Sequence, residues 1–187
     1  MDNRILTKLK QRLSPKRLTH SLGVSETAVR LAARYGANLD KARLAGLLHD
    51  CARDMPNNLL LQTAEANAIV LRDVERRAPM LLHAPVGVIV ARQDYGITDP
   101  EVLSAIRWHT TGGPDMSLLD YIVFFADYIE PGRSFPGVES LRALADRGLE
   151  EAVLAAYDQT LGHLMAERAL IHSDTIEGRN ALLLKMK

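Results

Sequence analysis

Apolar positions recur at three- and four-residue intervals along almost the whole chain, and no stretch sustains a period of two, so the pattern predicts helices and no strands. Leu6, Leu9 and Leu13 give a short amphipathic helix that ends at Ser14-Pro15. Ser14 suits the cap of the next helix and Pro15 its first turn, and this second helix runs to about Tyr35-Gly36. It is apolar on two sides, through Leu18, Leu22 and Val29 and through His20, Val24, Thr27 and Leu31, which predicts a central place in a bundle. A third helix over about 41–51 carries the small residues Ala42, Ala45 and Gly46, which permit another helix to approach closely. Pro56 breaks the chain before a helix over about 57–67.

The charge-rich stretch 71–80 reads as a surface connection, after which Pro85 opens a helix ending near Tyr95-Gly96. Asp99-Pro100 starts another, which ends at His109 before Thr110-Thr111-Gly112-Gly113-Pro114. Ser117 and Asp120 form a capping-box pattern for a helix that is apolar nearly all round, and therefore buried, until Pro131-Gly132 stops it. The segment 149–170 is one amphipathic helix with Leu149, Val153, Tyr157, Leu161 and Leu164 on its stripe. No linker, repeat or low-complexity tract interrupts these segments. The expectation is an all-α helical bundle forming a single domain over 1–187, with the chemistry-bearing residues in 17–138 and further helices in 139–187.

Composition narrows the function. The 187 residues hold 23 Lys plus Arg and 23 Asp plus Glu, a formal net charge of zero. That balance argues against nonspecific nucleic-acid binding, which needs excess cation, but leaves room for a local arginine cluster on a small phosphorylated ligand. Cys51 is the single cysteine, so no intrachain disulfide forms. The amino-terminal residues lack the apolar core of a signal peptide, and no apolar run approaches the roughly 20 residues that cross a bilayer. A cytoplasmic protein without a membrane partner is expected, as a monomer or homodimer.

Among the six histidines, His49 is followed directly by Asp50, and two adjacent helical residues could flank one metal or let Asp50 bridge two. Alone the pair is a weak signal, since a helix-end His followed by a solvated Asp is common. Its company is more telling: His20 lies among apolar neighbours, His83 precedes a proline-started helix, and His109 ends one. Asp127 sits within Phe124-Phe125-Ala126-Asp127-Tyr128-Ile129, where an unpaired carboxylate would be badly desolvated and so needs a cation, donors or a proton. Each of these residues has a structural reading as well.

The set resembles the HD-domain phosphohydrolases. Closer still, Arg-Leu-Thr-His (17–20), Leu-Leu-His-Asp-Cys-Ala-Arg (47–53), Leu-His-Ala-Pro-Val-Gly (82–87), Ile-Arg-Trp-His-Thr-Thr-Gly (106–112), Ala-Asp-Tyr-Ile-Glu-Pro-Gly-Arg (126–133) and Phe-Pro-Gly-Val (135–138) are similar to the YqeK family of bacterial symmetrical bis(5′-nucleosyl)-tetraphosphatases. The resemblance spans Arg17 to Val138. It implies a dinuclear metal centre of iron, with manganese or another divalent ion as the alternative, held by His20, His49, Asp50, His83, His109 and Asp127, with Asp50 bridging. It also implies diadenosine tetraphosphate as a small-molecule partner, cut symmetrically to nucleoside diphosphates (ADP or GDP) by a hydroxide bridging the metals, with Asp50, His83 and His109 at the reacting centre. The leaving group is a phosphate oxygen and already a weak base, so no strong general acid is required.

Arginines suit phosphate through their forked donors. Arg17 lies one helical turn before His20, Arg53 reaches the same pocket if its helix persists, and Arg133 follows the Pro-Gly turn. Thr110, Thr111 and the amides of Gly112 and Gly113 could receive oxygens. Each also has a plainer role: Arg17 and Arg133 solvated, Arg53 paired with Asp54 or a neighbouring helix, and the Thr-Thr-Gly run a helix stop. Cys51 reads as packing, Asp120 as a capping acid, and His163 and His172 as structural or solvated. Where the family carries Tyr-Ala-Lys after the His-Asp pair, this chain has Cys51-Ala52-Arg53, and its tail reads His172-Ser173-Asp174-Thr175-Ile176 in place of the family's Pro-Asp-Thr-Phe. Two rival functions remain: an HD phosphohydrolase acting on another nucleotide, and a nucleotide-sensing module with little turnover.

Overall fold

Eleven α-helices make up the fold of the described residues, with no strand among them. They are α1 (Asn3–Arg12), α2 (Pro15–Tyr35), α3 (Leu39–Leu48), α4 (Asn57–Ala66), α5 (Asp73–Arg77), α6 (His83–Tyr95), α7 (Pro100–Trp108), α8 (Leu118–Ile129), α9 (Val138–Leu144), α10 (Leu149–Ala166) and α11 (Ser173–Lys185). A 3-10 turn, Pro79–Leu82, leads directly into α6. The structure is a computed structural model and describes residues 3–187; Met1 and Asp2 of the expected 1–187 domain lie outside them.

Local chemistry sets the helix starts. Ser14 Oγ accepts from Arg17 N at 3.4 Å, Asp99 Oδ1 accepts from Glu101 N at 2.9 Å, and Ser117 and Asp120 cap each other reciprocally. α2 packs against α3 and α8, α7 lies against α3, α6 and α8, and α10 packs on α8. The second stripe of α2 is the deeper one, with Val24, Thr27 and Leu31 all buried. The small residues of α3 do allow close approach: a Cβ added at Gly46 would lie 2.9 Å from Ser25 Cα in α2. α8 is buried over Leu119–Ala126 and at Ile129, as its all-round apolar pattern predicts.

Several boundaries differ from the sequence expectation. α3 starts at Leu39 because Asn38 Oδ1 caps Asp40 N and Lys41 N, each at 3.0 Å. It ends at Leu48, beyond which the chain continues in tight turns, with Cys51 N donating to Leu48 O at 3.0 Å and Arg53 N to Asp50 O at 2.9 Å. The stretch 71–80 is not a plain surface connection: it holds α5 and the first half of the 3-10 turn, and Glu75 is buried. Its carboxylate accepts from Arg72 N at 2.8 Å and faces His172 Nε2 at 3.5 Å, a partner about a hundred residues away that no local pattern reveals. α6 begins at His83 instead of Pro85, and α10 ends at Ala166, just before Arg168 takes a left-handed φ of 52°.

Candidate metal centre

Three of the histidines stand where a helix stops. His49 is the C-cap of α3, His83 of the 3-10 turn and His109 of α7. The last carbonyls of a helix have no intrahelical donor, and here the imidazoles supply one. His49 Nδ1 donates to Gly46 O at 2.7 Å, His83 Nδ1 to Met80 O at 2.5 Å and His109 Nδ1 to Ile106 O at 2.8 Å, each three residues back. A carbonyl can only accept, so each Nδ1 carries the proton and each neutral ring presents its Nε2 lone pair forward. His20, inside α2, is held the same way by the Glu130 carboxylate, at 3.1 Å from Nδ1.

All four Nε2 atoms point to one place. Those of His20 and His49 are 3.3 Å apart, and those of His83 and His109 are 3.0 Å apart. Asp50 lies between the two pairs with one oxygen for each. Its Oδ2 is 3.4 Å from His49 Nε2 and 3.8 Å from His20 Nε2, while its Oδ1 is 3.3 Å from His83 Nε2 and 3.5 Å from His109 Nε2. Asp127 Oδ1 joins the first pair, 2.9 Å from His20 Nε2 and 3.9 Å from His49 Nε2. Two ligand groupings follow, His20–His49–Asp50 and Asp50–His83–His109, whose donor atoms all lie within 4.8 Å of one another. Lone pairs facing at hydrogen-bond distance, with their rings' protons already committed behind them, need a cation between them, and a mixed imidazole–carboxylate donor set suits a divalent metal. The residues fit a divalent metal centre.

The electrostatics agree. Burial opposes charge on Asp50, yet the surrounding imidazoles, His49 foremost, hold its carboxyl well below the usual carboxylate range. Asp127 is also held low: burial works against its charge, but His20, His49 and Arg133 outweigh it. His109 is pushed down to about 4, chiefly by burial, and so stays neutral with its lone pair available. Burial also drives the Cys51 thiol up to about 12, and its Sγ only faces Gly87 O at 3.5 Å, the packing role expected of it.

A cavity of about 730 Å³ opens over this cluster, lined in part by Asp50, His83, His109 and Asp127. Arg17, Arg53, Thr110 and Arg133 all reach it. Arg17 Nη1 lies 2.7 Å from Asp50 Oδ2, and Arg133 binds both the backbone carbonyl and the carboxylate of Asp127. Arg53 arrives through the turns after α3 and not along a continued helix. Asp54, its plainer partner, accepts instead from Ser14 N at 2.8 Å. Thr110 Oγ1 sits 3.0 Å from His83 Nε2 and 2.9 Å from His109 Nε2. Thr111 is placed elsewhere: it is buried, outside the cavity lining, and its hydroxyl donates to Gly112 O at 2.9 Å.

The sequence reading missed one wall. Tyr128, Phe135, Pro136, Gln159, Thr160 and His163 also line the cavity, and His163, expected to be structural or solvated, is among them. Tyr128 could have been suspected from its place beside Asp127. Gln159, Thr160 and His163 come from α10, and nothing local marks them. Their elements are tied together, with Tyr128 Oη 2.5 Å from Thr160 Oγ1 and Gln159 Nε2 donating to Pro136 O at 2.6 Å. His172 is buried between Glu75 and Asp174 and is not among the residues that line the cavity.

Residues 17–132 match the HD domain family. The chain is 42% identical over 179 residues to the symmetrical bis(5′-nucleosyl)-tetraphosphatase of Halalkalibacterium halodurans, covering 96% of this chain and 95% of that one. It is 37% identical to the protein of the same name from Bacillus subtilis, covering 94% of each. A crystal structure of a predicted HD superfamily hydrolase involved in NAD metabolism, from Clostridium acetobutylicum, superposes with a TM-score of 0.96 at 44% identity, covering 99% of this chain and 98% of that one.

Proposed function

The chain belongs to the HD-domain family, with symmetrical bis(5′-nucleosyl)-tetraphosphatases as its full-length relatives, and from that premise we propose that it hydrolyses diadenosine tetraphosphate to two ADP in a metal-dependent reaction. The observation that carries this reading is the convergence of four imidazole lone pairs on the two oxygens of Asp50. It supports a dinuclear centre: His20, His49, Asp127 and Asp50 Oδ2 on one side, His83, His109 and Asp50 Oδ1 on the other. We take the metal to be iron, as the resemblance implies, with manganese as the alternative by ligand type. Bound there, divalent cations lower the pKa of water and neutralise charge on phosphate oxygens.

The chain's own residues supply the rest. Water adds to one of the two central phosphorus atoms, and the bond from that phosphorus to the central bridging oxygen breaks. One ADP departs with that oxygen and the other retains the added hydroxyl oxygen. Asp50, His83 and His109 stand at the reacting centre. Arg17, Arg53 and Arg133 face the polyphosphate from the rim and offset its negative charge. Thr110 offers a hydroxyl between His83 and His109, and the wall of α10 and the 135–136 turn takes a nucleoside. Thr111 has no part in this reading. We further read the chain as one domain over 1–187 with its motif-bearing core at 17–138, acting in the cytoplasm on a small molecule and not on nucleic acid or membrane. No helix of the described residues is long and apolar enough to cross a membrane.

Product analysis tests the reading. The protein, loaded with iron under reducing conditions or with manganese, is incubated with diadenosine tetraphosphate and the nucleotides are separated by chromatography. ADP alone is the expected result. ATP plus AMP would overturn the symmetric cut, and no product from metal-loaded protein would shift the reading to another nucleotide or to a sensor.

A further inference from the structure

Three of the four convergent imidazoles are held from behind by backbone carbonyls, and His20 alone is held by a charged group. Glu130 follows α8 directly, three residues after Asp127, and is 5% exposed. One of its oxygens accepts from His20 Nδ1 at 3.1 Å and the other from Gly132 N at 2.6 Å. Its backbone carbonyl is fixed in turn by Arg142 Nη2 at 2.8 Å. The fold makes room for this carboxylate from two directions. A Cβ at Gly23 in α2 would come within 2.6 Å of Glu130 Oε2, and one at Gly132 within 2.9 Å of Oε1. A buried carboxylate is costly unless it is bonded and paired, and the ionisable group that Glu130 meets within ion-pair distance is His20.

Resting on the metal-centre reading, we propose that Glu130 is a positioning residue of that centre. It locks His20 in the tautomer whose Nε2 faces Asp50 and Asp127, and it places a negative charge behind that ring. An imidazole that donates to a carboxylate is a more basic ligand than one that donates to a carbonyl. The two halves of the centre are therefore unequal: the half with His20, His49 and Asp127 has the charged backing, and the half with His83 and His109 has only carbonyls. Glu130 strengthens the first half and leaves the second alone.

The test is a titration of manganese(II) alone into metal-stripped full-length protein, with free manganese followed by electron paramagnetic resonance. The wild type should show two classes of site. Glu130→Gln keeps an acceptor for His20 but cannot also accept from Gly132, and it should weaken one class roughly ten- to a hundredfold while the other holds. Gly23→Ala crowds the same carboxylate without touching its charge and should weaken the same class; it carries the test if Glu130→Gln does not fold. Equal weakening of both classes, or none in a variant that melts like the wild type, would overturn the role of Glu130. A wild type that binds no manganese would overturn the metal-centre reading and this inference with it.

Discussion

The same substitution, glycine to alanine, should move stability in opposite directions at two helical positions. Gly46 lies in α3 where that helix crosses α2, and a Cβ there would sit 2.9 Å from Ser25 Cα, 3.1 Å from Ser25 N and 3.2 Å from Val24 O. These are backbone atoms, so no side chain can swing aside and the helices must separate. Overpacking of this kind costs about 1–3 kcal/mol, against which alanine's better helix propensity returns about 0.8–1 kcal/mol. Gly46→Ala should therefore lose roughly 0.5–2 kcal/mol, a fall of about 1–8 °C in melting temperature at ~2–4 °C per kcal/mol. Gly162, within α10, has nothing within 4 Å of such a Cβ. Gly162→Ala should gain up to about 1 kcal/mol and melt about 2–4 °C higher. Thermal melts followed by far-ultraviolet circular dichroism measure both. The crossing also carries the site, because Gly46 O orients His49 and α2 carries His20, so metal content measured by mass spectrometry should drop in Gly46→Ala only. Equal stabilisation at both positions would refute the claim that the α2–α3 approach is limited by backbone contact.

Asp50→Ala should lose metal and turnover together while its circular dichroism stays helical; full turnover in that variant would remove Asp50 from the reacting centre. Arg53→Ala should retain metal but bind ADP roughly ten- to a hundredfold more weakly by calorimetry, the equivalent of one charge-assisted hydrogen bond. In metal-free protein, His109 is neutral in the fold down to about pH 4 but protonates near 6.5 once unfolded. The unfolded state thus binds the extra proton in that window, and folding stability attributable to His109 should fall by about 3 kcal/mol as pH drops from 6.5 to 4. His49, whose pKa is raised, contributes with the opposite sign. Denaturant titrations of wild type and His109→Gln at each pH isolate the His109 share, and parallel profiles would contradict it.

Helix caps and breakers made much of the fold legible. Ser14-Pro15, Asp99-Pro100 and Ser117 with Asp120 start helices by bonds within three residues of themselves, so their signal is local and the sequence carries it. Asn38 acts in the same way, without a following proline to mark it. Glu75, by contrast, has besides its local bond from Arg72 N a partner that folding brings from elsewhere, His172. The candidate site divides similarly. His49, His83 and His109 are recognisable as residues at helix boundaries and His20 by its apolar neighbours, yet only tertiary structure shows their Nε2 atoms meeting. Arg53 arrives by a turn, not the helix that periodicity implied, and the wall from α10 bears no mark in its own sequence. Thr111 looks like its neighbour Thr110 in the chain, but the turn sends one hydroxyl to the histidines and the other to Gly112.

Because His49, His83 and His109 each lean on the carbonyl three residues behind them, the aim of each ring is set by where its helix stops and hardly at all by what lines the helix. Side chains along α3 and α7 can drift with only packing to satisfy. A length change cannot be absorbed so easily: one residue inserted within α7 carries its end about 100° around the axis and 1.5 Å along it, taking His109 and its supporting carbonyl together to the wrong face. Descendants of such a chain should thus tolerate many substitutions in these helices and almost no insertions or deletions, with length variation confined to segments such as 67–72 and 145–148 that lie between helices and aim no ligand.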